Sequence, residues 1–214
     1  MNITVFGANG QIGRHFITFA LQNGDIVKAI VRREGALDMT HPNLETIVVD
    51  YNNHEQMTHI IAGQDAVVST LGPSLSMSRK VFALPITKAH DMILRVMEEQ
   101  GVKRLITLAT PTIKSADDIK QVVTVMPNIM AKILYPTGYA EMKAIEQLIQ
   151  KSKVDWTVVR IINPNIKNDG KGYTFTLGDT AGKMSISRKN VAICMVEALR
   201  KDEWIGKMPI VYNK

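Results

Sequence analysis

The stretch that decides the fold is Met1–Arg33, MNITVFGANGQIGRHFITFALQNGDIVKAIVRR. It begins with a short apolar run rich in β-branched residues, Asn2–Phe6, which predicts a buried strand. From Gln11 the apolar residues follow helical spacing until Asn23-Gly24, a pair typical of a helix end. A second apolar run, Ile26–Val31, completes the pattern of a β-α-β unit.

Three glycines at spacings of three lie between the first strand and the helix. In this context Gly7 permits a tight turn, Gly10 lets backbone amides approach a pyrophosphate, and Gly13 lets the helix pack against the strand. The positive end of the helix dipole faces the same anion. The loop therefore predicts a dinucleotide site, and the alternative is a glycine-rich turn that binds nothing. The predicted loop residues are Gly7, Asn9, Gly10, Gln11, Ile12 and Gly13.

Two arginines, Arg32 and Arg33, stand at the end of the second strand. NAD-binding versions of this unit place an acidic residue there, about twenty residues past the glycines, to bind the ribose 2′-hydroxyl. Forked guanidinium donors suit a phosphate instead. Glu34 follows, but it lies past the strand end, where we expect it in solvent. We therefore predict NADP(H) in preference to NAD(H); the alternative is a pair of arginines on an exposed turn.

These residues resemble the opening of the short-chain dehydrogenase/reductase superfamily, in the atypical NAD(P)H-binding branch that includes NmrA-like proteins and biliverdin/flavin reductases. The resemblance continues through DAVVSTLGP (65–73), GVKRLITLAT (101–110), DWTVVRI (155–161) and ISRKNVAICMVEAL (186–199). It implies an α/β fold with a Rossmann-type, doubly wound, mostly parallel sheet flanked by helices, and a small C-terminal extension on the substrate side. It does not single out one reaction.

The resemblance also implies roles for two strand ends. Asp50, after the third strand, would lie beside the adenine, although a turn residue at a strand end is an equal alternative. Leu71 and Gly72, after the fourth strand, would pass along the cofactor riboses, with Gly72 allowing a close approach.

Tyr139 and Lys143 form a Tyr-x-x-x-Lys pair on a predicted helix. Residues four apart share one helical face, so the ammonium can sit near the phenol, favour phenolate and make the tyrosine usable as a general acid. The resemblance implies that Lys143 also holds the nicotinamide ribose and that Thr110, at the end of the fifth strand, positions a substrate carbonyl. The alternative is a tyrosine packed by Pro136 and a lysine in solvent.

Composition limits the remaining possibilities. The 214 residues, 45% hydrophobic and 21% charged, are expected to form one domain over 1–214, with substrate-side insertions at about 111–138 and 163–187. The net charge of +6 is spread along the chain without a basic run, so we expect no nucleic-acid partner. The single Cys194 excludes an internal disulfide and falls in an apolar helical run, where we predict core.

The N-terminal apolar run is too short for a signal peptide and lacks its basic flank, and no apolar stretch is long enough to span a bilayer. We therefore expect a cytoplasmic protein without membrane contact, either a monomer or a homodimer, that acts on a small-molecule acceptor. No metal site is expected, because His54 and His59 lack ligand partners at metal spacing and are predicted at the surface.

The remaining elements are predicted from the same kinds of pattern. A helix from about Ser78 to Gln100 either kinks at Pro85 or begins there. The polar tract 163–183 is expected to hold a hairpin around YTFTLGDTAGK. Further strands are predicted at 44–49, 66–70, 102–109, 154–161 and 208–212, and further helices at 54–62, 138–151 and 187–199.

The segment 113–136 departs from the regular alternation and is the best candidate for a flap that lines the substrate site. Asp117-Asp118 predicts a helix start within it. Met126 and Met130 would shape an adaptable apolar pocket; the alternative is ordinary packing against the sheet.

Together these residues predict an NADPH-dependent oxidoreductase that transfers hydride to a small carbonyl, quinone or flavin-like acceptor. The second hypothesis is a non-catalytic, NmrA-like redox sensor that binds dinucleotide and acts through protein partners. The Tyr139/Lys143 pair favours the enzyme. A third hypothesis, an epimerase with tightly held NAD, is disfavoured by Arg32 and Arg33.

Overall fold

The computed structural model of the protein describes residues 1–73, 83–167 and 170–214. Its strands are β1 (Asn2–Phe6), β2 (Ile26–Val31), β3 (Leu44–Val48), β4 (Ala66–Ser69), β5 (Arg104–Ala109), β6 (Asp155–Ile161), β7 (Pro164–Asn165), β8 (Tyr173–Thr176), β9 (Ile186–Ser187) and β10 (Ile210–Asn213). Its helices are α1 (Gln11–Gln22), α2 (His54–Ile61), α3 (Pro85–Glu99), α4 (Val122–Leu134), α5 (Pro136–Lys151) and α6 (Arg188–Ala198), with a 3₁₀ turn at Asp202–Trp204.

The main sheet has the order β3-β2-β1-β4-β5-β6-β10-β8, and β7 pairs with β9 in a separate two-stranded sheet. All pairs in the main sheet are parallel except β10 with β8. The strand order reverses between β1 and β4, which is the switch point of a doubly wound sheet. The predicted fold class is therefore confirmed.

Side chains alternate along each strand, so apolar residues lie on both faces of the sheet, and helices cover each face. Ile3 and Val5 of β1 face the core beneath α1 and α6, and Phe6 faces the core beneath α2, α3 and α5. Cys194 is fully buried in the first of these cores, as predicted. Both layers hold the ends of the parallel strands in fixed positions.

Helix α3 begins at Pro85, with proline in the first turn where its missing N–H is not needed. The kinked alternative placed the start at Ser78, and residues 78–82 lie outside the described residues. Helix α5 begins at Pro136, two residues earlier than predicted, so Tyr139 ends its first turn.

The predicted hairpin around residues 173–183 is wrong. Strand β8 does form, but it pairs antiparallel with β10 at the edge of the main sheet. Phe175 of this strand packs edge-on against Trp204, with ring centroids 4.7 Å apart. The following loop folds around Thr176, whose hydroxyl accepts hydrogen bonds from the Gly178 and Thr180 amides. The open edge of β10 supplied a better partner than a second local strand.

Asp117-Asp118 does not start a helix. Helix α4 begins at Val122, and Gln121 precedes it with its amide bound to Thr124 Oγ1 at 3.2 Å. Asp118 instead accepts two hydrogen bonds from the fully buried Arg160, at 2.6 and 2.8 Å. A buried guanidinium without a carboxylate would be strongly destabilising, so this pair takes precedence over helix capping.

Candidate functional site

The glycine loop after β1 is held by the end of β4. Gly7 has a positive φ of +76°, and a Cβ there would lie 2.6 Å from Thr70 Oγ1. A Cβ on Gly13 would lie only 2.4 Å from the Gly7 carbonyl oxygen, so helix α1 can approach the strand this closely only with glycine. The turn closes through a 2.9 Å hydrogen bond from the Gly10 amide to the Gly7 carbonyl. The result is a closely packed backbone cradle that directly precedes a helix N-terminus.

One cavity of about 480 Å³ joins the strand ends above this loop. Six of the predicted cofactor residues line it: Gly7, Asn9, Arg32, Arg33, Leu71 and Gly72. An adjoining cavity of about 640 Å³ lies toward the end of β3 and is lined in part by Asp50. The two cavities share Arg32, Tyr51 and Pro85, so they form compartments of one cleft.

The remaining predicted loop residues lie beneath or beside this cleft. Gly10 precedes α1, and Gln11 is exposed in its first turn. Ile12 packs against the core under α1, so its side chain has a packing role. Asp50 accepts hydrogen bonds from the Asn52 backbone and side-chain amides, which is the turn role given as its alternative, while it also faces the larger compartment.

Arg32 and Arg33 are exposed on the cleft wall. Among the described residues, neither takes part in an ion pair. The nearby Arg14 behaves differently: it is ion-paired with Asp38 and donates to the Asn9 and Ala36 carbonyls, at 3.2 Å each. Arg14 therefore fixes the loops, and the charges of Arg32 and Arg33 stay available for an anionic ligand.

Tyr51 is a cleft residue that the sequence reasoning missed. Its ring packs edge-on against Phe6, with centroids 5.6 Å apart, and it lines both compartments. Burial raises the pKa of its phenol, against the opposing charge of Arg32. Its position directly after Asp50 was the available signal. Pro85 and Ile86, at the start of α3, complete the opposite wall.

The predicted catalytic residues lie after β5 and on α5, and none of them lines either compartment of the cleft. Thr110 directly follows β5, and its hydroxyl is 2.8 Å from the Thr112 hydroxyl. Lys143 is ion-paired with Glu146, one turn farther along α5. Within the described part of the chain, the Tyr139 hydroxyl makes no hydrogen bond. The helix thus carries the pair as predicted, with the ammonium bound to a carboxylate that the sequence reasoning did not single out.

The insertion between β5 and α5 was predicted either to line a substrate pocket with two methionines or to pack against the sheet. Met126 and Met130 are 43% and 45% exposed, so they do not pack against the sheet. They lie on α4, which packs against α5 and presents further exposed apolar residues. Neither methionine lines either compartment of the cleft described above.

A family model described as NAD(P)H-binding matches residues 7–202. The chain belongs to this NAD(P)H-binding family. The match runs from the glycine loop to the start of the 3₁₀ turn after α6, so the NAD(P)H-binding character expected from the resemblance is confirmed.

Solved structures share the family fold over the whole chain. An oxidoreductase from Lactococcus lactis is 17% identical, with 100% of this chain and 91% of that one covered and a TM-score of 0.78. A Rossmann-fold NAD(P)-binding protein from Shigella flexneri is 22% identical, with 99% and 93% covered and a TM-score of 0.73. A short-chain dehydrogenase/reductase from Veillonella parvula in complex with NADP is 13% identical, with 99% and 94% covered and a TM-score of 0.78.

Neither a membrane-spanning helix nor a metal cluster occurs among the described residues of this chain. No helix there is both long and apolar enough to cross a membrane. No cluster of three or more His, Cys, Asp or Glu residues there has the arrangement of a metal site.

Proposed function

We propose that this protein is an NADPH-dependent oxidoreductase that reduces a small carbonyl, quinone or flavin-like acceptor. The observation that carries the proposal is the cleft itself, in which the glycine cradle and two arginines without ion-pair partners among the described residues line one cavity. Membership of the NAD(P)H-binding family supports the cofactor class.

The preference for NADPH rests on the end of β2. Arg32 and Arg33 offer guanidinium donors where NAD-binding relatives of this unit carry a carboxylate. The Veillonella parvula protein, which shares the fold, was solved with NADP. A 2′-phosphate in this cleft would meet two cations, whereas the 2′-hydroxyl of NADH would leave them without an anionic partner.

Residues at different places in the fold would bind the cofactor and transfer the proton. The glycine loop and the N-terminus of α1 would bind the pyrophosphate, and Arg32 with Arg33 would bind the 2′-phosphate. NADPH, when bound, supplies the hydride. Tyr139 would donate the proton to the acceptor oxygen, and Thr110 would hold that oxygen in place. Lys143 would bind the nicotinamide ribose and favour the phenolate of Tyr139.

The test is NADPH oxidation with a panel of carbonyls, quinones and flavins. With a carbonyl acceptor, Tyr139→Phe should lower turnover about a hundredfold or more, within the usual range for a general acid, and leave NADPH affinity unchanged. Tyr135→Phe, one helical turn earlier, is the matched control. Flavins and quinones should respond less, because solvent can supply their proton.

One observation favours the second hypothesis, the dinucleotide sensor. Lys143 is held by Glu146, while the Tyr139 hydroxyl has no hydrogen-bond partner among the described residues. If NADPH binds tightly and the whole panel gives no oxidation, the oxidoreductase proposal fails. The sensor would then lead, and partner capture with and without NADPH would be the next measurement.

A further inference from the structure

Helix α5 carries three polar side chains in a row on one face. Tyr139, Lys143 and Glu146 are spaced by four and three residues, which places them above one another along the helix. Lys143 is the middle residue of the three, and its ammonium is ion-paired with Glu146. The Glu146 side chain is 9% exposed and that of Lys143 is 33% exposed, so the pair lies largely within the protein.

Glu146 also reaches outside its own helix. Its Oε1 atom accepts a 3.0 Å hydrogen bond from the backbone amide of Lys114. Lys114 follows the turn closed by the bond from the Ile113 amide to the Thr110 carbonyl, at 3.1 Å. One carboxylate therefore joins Lys143 to the loop that carries Thr110.

The environment of this pair differs from that of an ordinary surface pair. Arg95 and Asp91 on α3 form an exposed i,i+4 pair, with side chains 56% and 48% accessible, and such pairs contribute little. A carboxylate as buried as that of Glu146 keeps its charge only where its partners are fixed. One carboxylate oxygen of Glu146 thus accepts a hydrogen bond from the loop, and the other pairs with the Lys143 ammonium.

We propose that Glu146 is the positioning residue of the Tyr139–Lys143 pair. Its carboxylate holds the ammonium at a set place along the helix face and offsets part of the positive charge that reaches the phenol. This inference rests on the roles proposed above for Tyr139 and Lys143. It adds a fourth residue, one that acts through Lys143 and does not touch the acceptor.

Glu146→Gln is the direct test, because the amide oxygen can still accept from Lys114 while the negative charge is lost. The probe is the ring carbon signal of ¹³C-labelled tyrosine during a pH titration. With five tyrosines in the chain, the Tyr139→Phe spectrum identifies the signal of Tyr139. We expect Tyr139 to ionise about half a pH unit or more lower in Glu146→Gln than in the wild type, since the ammonium is no longer neutralised.

Two controls separate positioning from other effects. Asp91→Asn removes the carboxylate of the exposed pair on α3 and should leave the Tyr139 signal unchanged. Glu146→Gln should shift that signal much less in a Lys143→Gln background, because the effect is exerted through the ammonium. If Glu146→Gln fails to fold, Glu146→Asp is the substitute, because its shorter side chain keeps the charge but moves it away from the Lys143 ammonium. The Tyr139 titration should then shift in the same direction by a smaller amount.

An unchanged Tyr139 titration in a folded Glu146 variant overturns the inference. So does an equal shift with and without Lys143, which would mean that Glu146 acts on the phenol directly. The titration needs no acceptor, so it gives its result even if the activity panel is negative. In an active enzyme, the pH profile of kcat should move in the same direction as the titration, while KM for NADPH changes little.

Discussion

At the scale of single residues, cofactor choice depends on Arg32 and Arg33. Replacing both with alanine should weaken NADPH binding at least tenfold, about 1.4 kcal/mol, because the 2′-phosphate loses its cationic partners. NADH affinity should stay the same. The measurement is fluorescence titration with both cofactors. Arg95→Ala/Arg188→Ala removes the same charge elsewhere and is the control; equal losses in both double variants would point to net charge alone.

A second residue-scale prediction concerns Gly10. Its φ of −69° suits any residue, and a Cβ there would lie 3.2 Å from the Gly7 carbonyl, which would have to move by only a few tenths of an ångström. Gly10→Val should therefore keep a cooperative melt but lose dinucleotide affinity at least tenfold, since the side chain blocks the approach of the pyrophosphate. Gly13→Val is the contrast and should lower the melting temperature. Wild-type affinity in Gly10→Val would place the phosphates elsewhere.

Site residues that are marked by a local sequence pattern could be predicted, and site residues that are brought into place by packing could not. The glycines, Arg32 and Gly72 follow strand ends, and parallel strands bring such positions to one edge. The contacts of Glu146 and Tyr51 had no local signal, although Tyr51 directly follows a predicted site residue. Their partners, Lys114 and Phe6, are 32 and 45 positions away in the sequence.

At the scale of elements, Glu141 connects α5 to α3. It is 2% exposed and accepts hydrogen bonds from the first-turn amides of Ile86 and Thr87, at 3.1 and 2.7 Å. Those amides have no partners within their own helix, so the carboxylate acts as a cap supplied from another helix. The start of α3 is also a wall of the cofactor cleft.

Glu141→Ala should therefore lower the free energy of unfolding by about 2 kcal/mol or more, because buried amides are left unsatisfied. It should also weaken NADPH binding, since the cleft wall loses its anchor. Urea denaturation and fluorescence titration give the two quantities. Glu203→Ala, at an exposed carboxylate, should change neither; a Glu141 variant as stable as this control would rule out the capping role.

Element prediction failed where a buried charge decided the local structure. The pair Asp117-Asp118 has the composition of a helix start, and Asp118 would satisfy free amides there. Arg160 comes from the middle of the sheet, 42 residues later, and takes both oxygens of that carboxylate. A rule that reads neighbours along the chain cannot include such a partner.

At the scale of the whole molecule, the strands up to β6 and the last strand β10 were predictable, and the pairing of β8 with β10 at the C-terminal edge was not. Alternating strands and helices specify parallel order through right-handed crossovers. Strand β8 is followed by a tight polar loop that suggested a hairpin. It pairs instead with β10, which begins 34 residues after the end of β8. The pairing is antiparallel and long-range, and neither property leaves a local pattern.

The stability of the whole fold should depend on pH through His90 of α3, whose ring faces β4 and β5 of the sheet. Its ring is 1% exposed, with Nε2 at 3.1 Å from Ser69 Oγ and 3.2 Å from Thr107 Oγ1, and Nδ1 at 2.9 Å from the Ile86 carbonyl. Burial lowers the pKa of His90, against smaller opposing effects of the Ile86 carbonyl and Glu141. The folded protein therefore keeps this histidine neutral.

The unfolded chain takes up a proton at this position below about pH 6.5, while the folded protein does not until its lower pKa is reached. The free energy of unfolding should thus fall as the pH drops below 6.5, by up to about 1.4 kcal/mol per pH unit from this group. His90→Gln should be less stable at neutral pH but should lose part of this pH dependence. The measurement is urea denaturation between pH 7.5 and 5.5, a window of roughly one unit on either side of the unfolded pKa. His59→Gln, at an exposed histidine, is the control and should keep the full slope of unfolding free energy against pH. Parallel slopes for the wild type and His90→Gln would show that another group controls acid stability.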